Sequence, residues 1–244
     1  MAAGRVSVGV DEVGRGCLAG PVVTAAVVMP AFMLDSDGML DSMGKASWWT
    51  EINDSKLVPP AKRERLAAQI LETCEVQIAW CYPQEIDRWN ILHASLIAMR
   101  RALGPFSGLA QTVLVDGNQN PFEPRWRCSP GLAQRLGFTE IELLVKGDSR
   151  SISIAAASIV AKVYRDAWMV ELDALLPGYS FGVHKGYSTP MHYEAIRKLG
   201  PCAIHRFSFE PFKSASPGKG PELCNSGVNG EESEPESESH SFQA

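Results

Sequence analysis

The chain has 244 residues, of which 45% are apolar, enough for one large domain or two small ones with a buried core. No apolar run approaches the roughly 20 residues that a membrane-spanning helix needs, and the first ten residues lack the apolar stretch of a secretory signal. The six cysteines show neither a Cys-x-x-Cys pair nor zinc-finger spacing, so we expect a cytoplasmic protein that makes no membrane contact.

The acidic residues are unevenly distributed along the chain. The formal net charge of -5 argues against a uniformly basic nucleic-acid-binding protein. Residues 214–244 hold six Glu and one Lys, however, which leaves 22 acidic and 22 basic side chains in residues 1–213. The segment 214–244 is rich in Ser, Gly, Pro and Glu and offers too little apolar surface to offset the entropy of ordering. We interpret residues 1–213 as the folded domain and residues 214–244 as a disordered acidic tail.

Periodicity in residues 1–213 predicts strands that alternate with helices. The predicted strands are short apolar or alternating runs, at residues 6–10, 22–28, 76–82, 113–115 and 141–145. Helices are predicted at residues 60–71 and 191–199, each introduced by proline, at 86–103, which has an apolar residue every three or four positions, and at 151–175, which is rich in Ala, Ile and Val. Residues 31–51 have no such period and are predicted to form a long surface loop. Strands in succession, followed by alternation, predict a mixed α/β domain.

Acidic residues follow three of the predicted strands directly: Asp11 and Glu12, then Asp116, then Asp148. Sites in open α/β sheets form at the carboxyl ends of the strands, so these acids are candidates for one shared site. Divalent cations such as Mg²⁺ prefer oxygen ligands, and two of them can activate a water and stabilise the leaving oxygen of a phosphodiester. The pattern therefore predicts a two-metal hydrolytic site.

Each acid also has a simpler interpretation. An Asp after a strand is commonly a turn or N-cap residue, and Asp148 is followed by a predicted helix. Neighbouring residues of a regular strand point to opposite faces, so Asp11 and Glu12 share a site only if the strand ends or bulges there. The glycines that follow permit such a bulge.

The segment Gly14-Arg15-Gly16 is a candidate ligand-binding loop. Glycine lets the bare backbone come close to a ligand, and Arg15 adds a fixed cation. A backbone at hydrogen-bond distance can detect a ribose 2′-OH, the group that separates RNA from DNA. The alternative is a tight turn between two strands, in which Gly16 and Gly20 have no other role.

Six groups of residues, in order between residues 5 and about 212, resemble the motifs of bacterial ribonuclease HII, a type 2 RNase H family. They are Asp11-Glu12-Val13-Gly14-Arg15-Gly16 with Ala19-Gly20-Pro21-Val22-Val23; Asp54-Ser55-Lys56-Leu57; Val115-Asp116-Gly117-Asn118; Lys146-Gly147-Asp148 with 156–162 and Arg165-Asp166; His184-Lys185-Gly186-Tyr187; and Gly200-Pro201-Cys202 with His205-Arg206. Six motifs in the family's order are far more specific than any one of them.

The resemblance implies a fold and an activity. The fold is an RNase H-like mixed sheet flanked by helices, with a helical C-terminal part. The activity is cleavage of the RNA strand of RNA–DNA hybrids and nicking 5′ of single ribonucleotides in duplex DNA, which leaves 5′-phosphate and 3′-OH ends. It implies two Mg²⁺ or Mn²⁺ ions in the active complex, and nothing in the sequence requires more than a monomer.

The resemblance also assigns roles to residues. The family's metal-binding and catalytic acids correspond to Asp11, Glu12, Asp116 and Asp148. Its 2′-OH-sensing tripeptide corresponds to Gly14, Arg15 and Gly16. Its junction-reading tyrosine, which stacks against the neighbouring deoxyribose, corresponds to Tyr187, and Lys185 beside it is a further candidate for substrate contact.

Three features depart from the family pattern. The segment 31–51 is longer than usual, Ser188 stands where glycine is expected after Tyr187, and the acidic tail has no counterpart. Asp166 competes with Asp148 as the fourth acid, but it lies four residues after Lys162 in a predicted helix, a spacing that favours an ion pair. We therefore assign the fourth acid to Asp148.

Three other protein classes fit parts of the sequence. A dinucleotide-binding dehydrogenase would explain Gly14-x-Gly16, but the third glycine comes one place late, at Gly20, and a strand rather than a helix is predicted next. A serine hydrolase would explain Ser180 within Gly-x-Ser-x-Gly, but that motif should follow a strand and here follows a helix. A non-catalytic nucleic-acid-binding module would not need four acids, which repel a polyanion.

Overall fold

The computed structural model describes residues 6–33, 48–53 and 55–214, and a single five-stranded sheet organises them. The strands are β1 (Ser7–Val13), β2 (Val22–Val28), β3 (Glu75–Cys81), β4 (Thr112–Asp116) and β5 (Glu140–Leu144). They lie in the order β3-β2-β1-β4-β5. Strand β2 is antiparallel to β1 and β3, whereas β4 is parallel to β1 and to β5. The sheet is therefore mixed, and the carboxyl ends of β1, β4 and β5 share one edge.

Helices cover both faces of this sheet and form the C-terminal part. They are α1 (Pro60–Thr73), α2 (Pro83–Trp89), α3 (Ile91–Leu103), α4 (Leu132–Arg135), α5 (Ile152–Leu175), α6 (Phe181–His184) and α7 (Pro190–Leu199). Helix α3 packs on one face, where Leu96 and Met99 meet Val10 and Val115. Helices α1 and α5 pack on the other face, around Val23. All seven residues of β2 are buried because both of its faces are covered.

Helix α5 lies unusually close to β1 at its N-terminal end. Its small residues, Ala155 to Ala157, present little side-chain bulk, and the facing residue of β1 is Gly9. A Cβ atom at Gly9 would stand 2.4 Å from the backbone carbon of Ser153, so only glycine permits this approach. The contact sets the depth of α5 against the strand that carries the first two acids.

The predicted elements are confirmed, with two corrections. Strand β1 does not end at Asp11 but continues through Glu12 to Val13, because Asp11 and Glu12 still pair with Ala25 and Thr24 of β2. The predicted helix 86–103 is two helices, broken at Asn90, whose φ of 65° a continuous helix cannot contain. The Asn90 side chain then accepts the backbone N–H of His93 and caps α3.

Two predicted segments lie largely outside the described residues. Of the predicted loop 31–51, residues 31–33 and 48–51 each form one 3₁₀ turn, and residues 34–47 are not described. Of the predicted tail, only Ser214 is described, so its disorder stays a prediction. Among the helices of the described residues, none has the length and apolar character to cross a membrane.

Candidate active site

Asp11 and Glu12 occupy successive positions of β1 and so face opposite sides of the sheet. Asp11 faces α5 and is 6% exposed, and it accepts hydrogen bonds from the Ser158 hydroxyl and, at 2.7 Å, from the Glu12 backbone N–H. The Ser158 hydroxyl also lies 2.9 Å from that of Ser55. Glu12 is half-buried, and its carboxylate accepts a hydrogen bond from Arg15 at 3.2 Å.

Asp116 ends the neighbouring strand β4. Because β4 is parallel to β1, its last residue comes to the same edge of the sheet as Asp11 and Glu12. The Asp116 Oδ1 atom accepts the backbone N–H of Gly147 at 2.7 Å. Gly147 opens the 3₁₀ turn that carries Asp148. The turn holding the fourth acid is therefore anchored on the carboxylate of the third.

The three acids on β1 and β4 interact electrostatically. Burial raises the pKa of Asp11 well above its usual value, and the negative charges of Glu12 and Asp116 raise it further. Burial raises the pKa of Glu12 to about 7, against the opposing effect of Arg15, and Asp116 adds to the rise. The structure thus brings Asp11, Glu12 and Asp116 together as mutually repelling carboxylates.

The donor chemistry of these acids fits a divalent cation. Buried oxygen ligands whose charges repel one another are stabilised when a cation neutralises them. They do not form a finished ligand cage, since no group of three His, Cys, Asp or Glu in the described residues is arranged to hold a metal ion. Asp11 and Glu12 face opposite sides of β1, which accounts for this.

A small cavity of about 40 Å³ opens beside Glu12 and Asp116. Its other walls come from Arg15, from the turn after β4 and from α3. This volume holds a water molecule or an ion. The cavity places polar space next to two of the predicted catalytic acids.

The loop between β1 and β2, residues 14–21, is held by a buried arginine that the sequence analysis missed. Arg165 of α5 donates from Nε to the carbonyl of Pro21 at 2.9 Å and from Nη2 to that of Ala19 at 3.0 Å. Its Nη1 atom donates to the carbonyl of Lys185 at 2.8 Å. One guanidinium therefore ties the loop 14–21 to the segment that carries Tyr187.

A second buried arginine reinforces the same loop. Arg206 donates from Nε and Nη2 to the carbonyl of Gly20, at 3.0 and 2.9 Å, and from Nη1 to that of Arg15 at 2.9 Å. In the sequence, a buried arginine of this kind is indicated only by apolar residues one helical turn before and after it. Arg165 has that signal, since it lies one helical turn from Ala161 and one from Met169, both fully buried.

The two glycines of the predicted 2′-OH-sensing loop differ in their surroundings. Gly14 has a φ of 90°, and a Cβ atom there would stand 2.2 Å from Nε of Arg165. Gly16 is exposed, and no atom of the described residues lies within 4 Å of a Cβ built on it. The fold therefore requires glycine at position 14, whereas at position 16 glycine leaves the surface bare.

Tyr187 lies beside Arg165 and is 37% exposed. Its ring stands 5.5 Å from the Lys162 ammonium and 5.9 Å from the Arg165 guanidinium carbon. Burial raises the pKa of its hydroxyl, as does the neighbouring Cys17, with which it forms a hydrogen bond. The ring is thus positioned by cations and retains an accessible face.

Three buried histidines support the backbone around Tyr187. His192 donates from Nδ1 to the carbonyl of Tyr187 at 2.9 Å, and its Nε2 atom lies 3.1 Å from Nε2 of His205. The Nδ1 atom of His205 accepts the backbone N–H of Cys202 at 2.9 Å. His184 stacks on His192 at 4.2 Å. These contacts are mutually consistent only if His192 and His205 are neutral.

The remaining predicted residues have clear positions. Lys185 donates to the carbonyl of Gly182 and lines a cleft of about 580 Å³ between α1 and α5. Asp166 pairs with Lys162 at 2.8 Å and with Arg63 at 3.8 Å. The prediction that Asp166 forms a helical ion pair with Lys162 is confirmed.

Comparison with protein families decides the identity of the chain. The family model described as ribonuclease HII matches residues 8–212.

The chain belongs to the ribonuclease HII family.

Relatives and solved structures agree with this assignment. The ribonuclease HII of Sinorhizobium medicae is 47% identical over 205 residues, which cover 84% of this chain and 82% of that protein. The crystal structure of ribonuclease H2 from Pyrococcus horikoshii has a TM-score of 0.60 at 25% identity and covers 86% of this chain and 96% of that one. A structure of Bst-RNase HIII in complex with Mn²⁺ has a TM-score of 0.64 at 21% identity, over 86% of this chain and 68% of that one, and shows the shared fold.

As a ribonuclease HII family member, the protein is a type 2 RNase H endonuclease. The predicted RNase H-like fold is confirmed. The rival interpretations fail on the fold as well. Residues 14–16 lead into strand β2 and not into a helix, and Ser180 follows the end of α5 and not a strand.

Proposed function

We propose that this protein is a divalent-cation-dependent endonuclease that cuts the RNA strand of RNA–DNA hybrids and nicks duplex DNA 5′ of a single ribonucleotide. The products carry 5′-phosphate and 3′-OH ends. The observation that supports this most directly is the meeting of Asp11, Glu12 and Asp116, with an exposed glycine at position 16 in the loop that follows the first two. The acids supply oxygen ligands, and the glycine gives a substrate backbone access to them.

Asp11, Glu12, Asp116 and Asp148 are the residues that would hold two Mg²⁺ or Mn²⁺ ions. The chemistry that such ions supply when bound is activation of the attacking water and neutralisation of the departing 3′-oxygen. The protein's own part is to orient the carboxylates. Ser158 fixes Asp11, Arg15 fixes Glu12, and the Gly147 N–H fixes Asp116.

The segment Gly14-Arg15-Gly16 would select RNA over DNA. Backbone groups at Gly16 are open to a ligand, and a ribose 2′-OH offers both a donor and an acceptor to them. Arg206 holds the Arg15 carbonyl in place, so this loop is already rigid before the substrate arrives. Recognition of the 2′-OH would then also place the scissile phosphate over the acids.

Tyr187 and Lys185 would contact the nucleotide next to the cleaved ribonucleotide. The exposed face of the Tyr187 ring suits stacking against the deoxyribose that neighbours the ribonucleotide, and the Lys185 ammonium suits contact with a phosphate. Both residues belong to one short segment whose backbone Arg165 ties to the loop 14–21. The spacing between the two recognition elements is thereby fixed.

The experiment that tests the proposal uses three substrates of equal length: duplex DNA with one ribonucleotide, an RNA–DNA hybrid and duplex DNA without ribose. We expect cleavage of the first two with Mg²⁺ or Mn²⁺, none with EDTA, and none of the third substrate. The ends are checked by ligation and by extension with a polymerase, which require a 5′-phosphate and a 3′-OH respectively. Cleavage that persists in EDTA, or that occurs equally in all three duplexes, would contradict the proposal.

A further inference from the structure

Beyond the acidic cavity, the described surface carries a cluster of arginine and tryptophan side chains that the proposed function does not use. It lies at the end of α2 and in the turn that follows β4. Its members are Arg88, Trp89, Arg125, Trp126 and Arg127, and we call them the Arg–Trp patch.

The patch orients its guanidinium groups against aromatic rings. The guanidinium carbons of Arg88 and Arg127 both lie over the Trp89 ring, at 4.5 and 4.6 Å from its centroid. That of Arg125 lies 4.7 Å from the centroid of Trp126. Stacking on a ring fixes the plane of a guanidinium and leaves its N–H donors free to point outward. The side chains of all three arginines are exposed.

The charge of the patch is only partly balanced. Arg125 pairs with Glu123, but within the described part of the chain neither Arg88 nor Arg127 forms an ion pair with a carboxylate. Two like charges near one ring repel each other, and a bound anion offsets that repulsion. The backbone of Arg127 also adopts a φ of 54°, which residues other than glycine rarely adopt, so this side chain is held in place at some cost.

The patch is continuous with the acidic cavity. Gln119 lines the cavity together with Glu12 and Asp116, and its side-chain carbonyl accepts a hydrogen bond from Arg125 at 3.4 Å. On the other side, the Trp126 ring packs edge-on against His93 at 5.0 Å. A duplex whose backbone reaches the acids beside the cavity therefore passes close to the patch.

We propose that the Arg–Trp patch binds the phosphate backbone of the duplex that flanks the cleaved ribonucleotide, an inference that rests on the proposed nuclease function. Paired guanidinium groups suit phosphate because each can donate two parallel hydrogen bonds. Residues 1–213 carry no net charge, and the patch provides a local concentration of positive charge near the acids at which a polyanion can bind. It contributes binding and not bond cleavage.

The test measures binding without cleavage, in EDTA, by fluorescence anisotropy over a range of salt concentrations. One labelled duplex of about 30 base pairs, roughly 100 Å long, has a single ribonucleotide at its centre. The other has the same centre but is shortened to about ten base pairs. In the double variant Arg88→Gln/Arg127→Asn, asparagine tolerates the φ of 54° at position 127. For the long duplex we expect the slope of log affinity against log salt to fall by about 0.9 for each phosphate that the variant no longer neutralises.

Two matched variants separate charge from structure. Arg88→Lys/Arg127→Lys keeps both charges, and we expect it to retain most of the salt dependence. Arg197→Gln removes one charge from the exposed end of α7, and we expect its binding to equal that of the wild type. Binding of the short duplex should be the same in all of these proteins.

Four outcomes have distinct meanings. An unchanged salt slope in Arg88→Gln/Arg127→Asn, or an equal loss with both duplexes, would overturn the inference. So would patch-dependent binding of a synthetic peptide of residues 215–244 without any effect on DNA, since the patch would then dock protein. Patch-dependent binding of duplex by a wild-type protein that fails to nick it with Mg²⁺ would overturn the proposed nuclease activity and leave the phosphate site standing.

Discussion

A Cβ atom at Gly14 would stand 2.2 Å from the Nε atom of Arg165, which donates to the carbonyl of Pro21 at 2.9 Å. The buried guanidinium occupies the space that any side chain at position 14 would need. Two residues further on, Gly16 meets no such neighbour among the described residues. The fold therefore requires glycine at position 14, whereas glycine at position 16 serves the proposed ligand.

This difference predicts that alanine at position 14 lowers stability, whereas alanine at position 16 slows cleavage. Gly14→Ala should lower the free energy of unfolding by about 1–3 kcal/mol or more, because alanine is strained at a φ of 90° and collides with Arg165. Gly16→Ala should leave the unfolding temperature unchanged but slow cleavage by roughly 100-fold, the scale of a small misplacement of substrate. Thermal unfolding and steady-state cleavage of both variants check this. A Gly16→Ala protein that cleaves at the wild-type rate would remove position 16 from substrate recognition.

Asp116→Asn should reduce cleavage by about 100-fold or more, the scale of one strong electrostatic contact in an active site. Binding of hybrid in EDTA should be retained, because the substitution removes a negative charge near a polyanion. Asp166→Asn is the matched control, since Asp166 is ion-paired on α5 and not grouped with the acids of β1 and β4. It should change stability by no more than about 1 kcal/mol and keep its activity. Full activity of Asp116→Asn with Mg²⁺ or Mn²⁺ would exclude Asp116 from the reaction.

Tyr187→Ala should impair nicking at a single ribonucleotide more than cleavage of a long hybrid, because only the former depends on a neighbouring deoxyribose. A stacked aromatic ring contributes about 1–3 kcal/mol to nucleic-acid binding, so the expected loss is about 5- to 150-fold. Tyr187→Phe keeps the ring and removes only the hydroxyl that contacts Cys17, so it should behave like the wild type. The ratio of the two rates in each variant is the measurement. An equal loss on both substrates would argue against a role at the junction.

The neutral histidines contribute stability that is lost in acid, whereas the raised pKa values of Asp11 and Glu12 contribute in the opposite direction. Burial, followed by the charge of His192, lowers the pKa of His205 from 6.5 to about 4, and burial also lowers that of His192. The unfolded chain therefore binds protons that the folded chain excludes as the pH falls from about 6.5 to about 4. At about 1.4 kcal/mol per pH unit, the loss attributable to His205 approaches about 3 kcal/mol. Urea unfolding of the wild type and of His205→Gln between pH 4.5 and 7.5 isolates this contribution, because Asp11 and Glu12 are present in both proteins; the same pH dependence in both would place the cause elsewhere.

The sequence predicts the fold well where periodicity is strong. The apolar run of β2 and the long segment of α5, rich in Ala, Ile and Val, are recovered within a residue or two. The break at Asn90 was missed because apolar spacing continues across it, and only the left-handed backbone of one residue separates α2 from α3. The continuation of β1 past Asp11 was missed because acidic residues resemble the end of a strand, although their pairing with β2 keeps them in it.

The candidate site was predictable as a set of acids, because parallel pairing of β1 with β4 brings strand ends together by topology alone. The contacts that hold these acids and the neighbouring loop in place were not predictable. Arg165 and Arg206 donate to backbone carbonyls of segments far away in the sequence. Because every residue has a backbone carbonyl, the residue types do not show which ones accept these hydrogen bonds. The positions of Ser55 and Ser158 against Asp11 depend in the same way on how α5 docks.

The order in which the ribosome releases these parts has a consequence for the growing chain. A nascent polypeptide that has emerged as far as the end of α5 already contains all four acids and Arg165, but neither Tyr187 nor Arg206. The loop 14–21 then lacks three of the five side-chain hydrogen bonds that the two buried arginines give it, since Arg206 has not yet been synthesised. The four acids are therefore in the chain before the arginine that completes the support of the loop beside them.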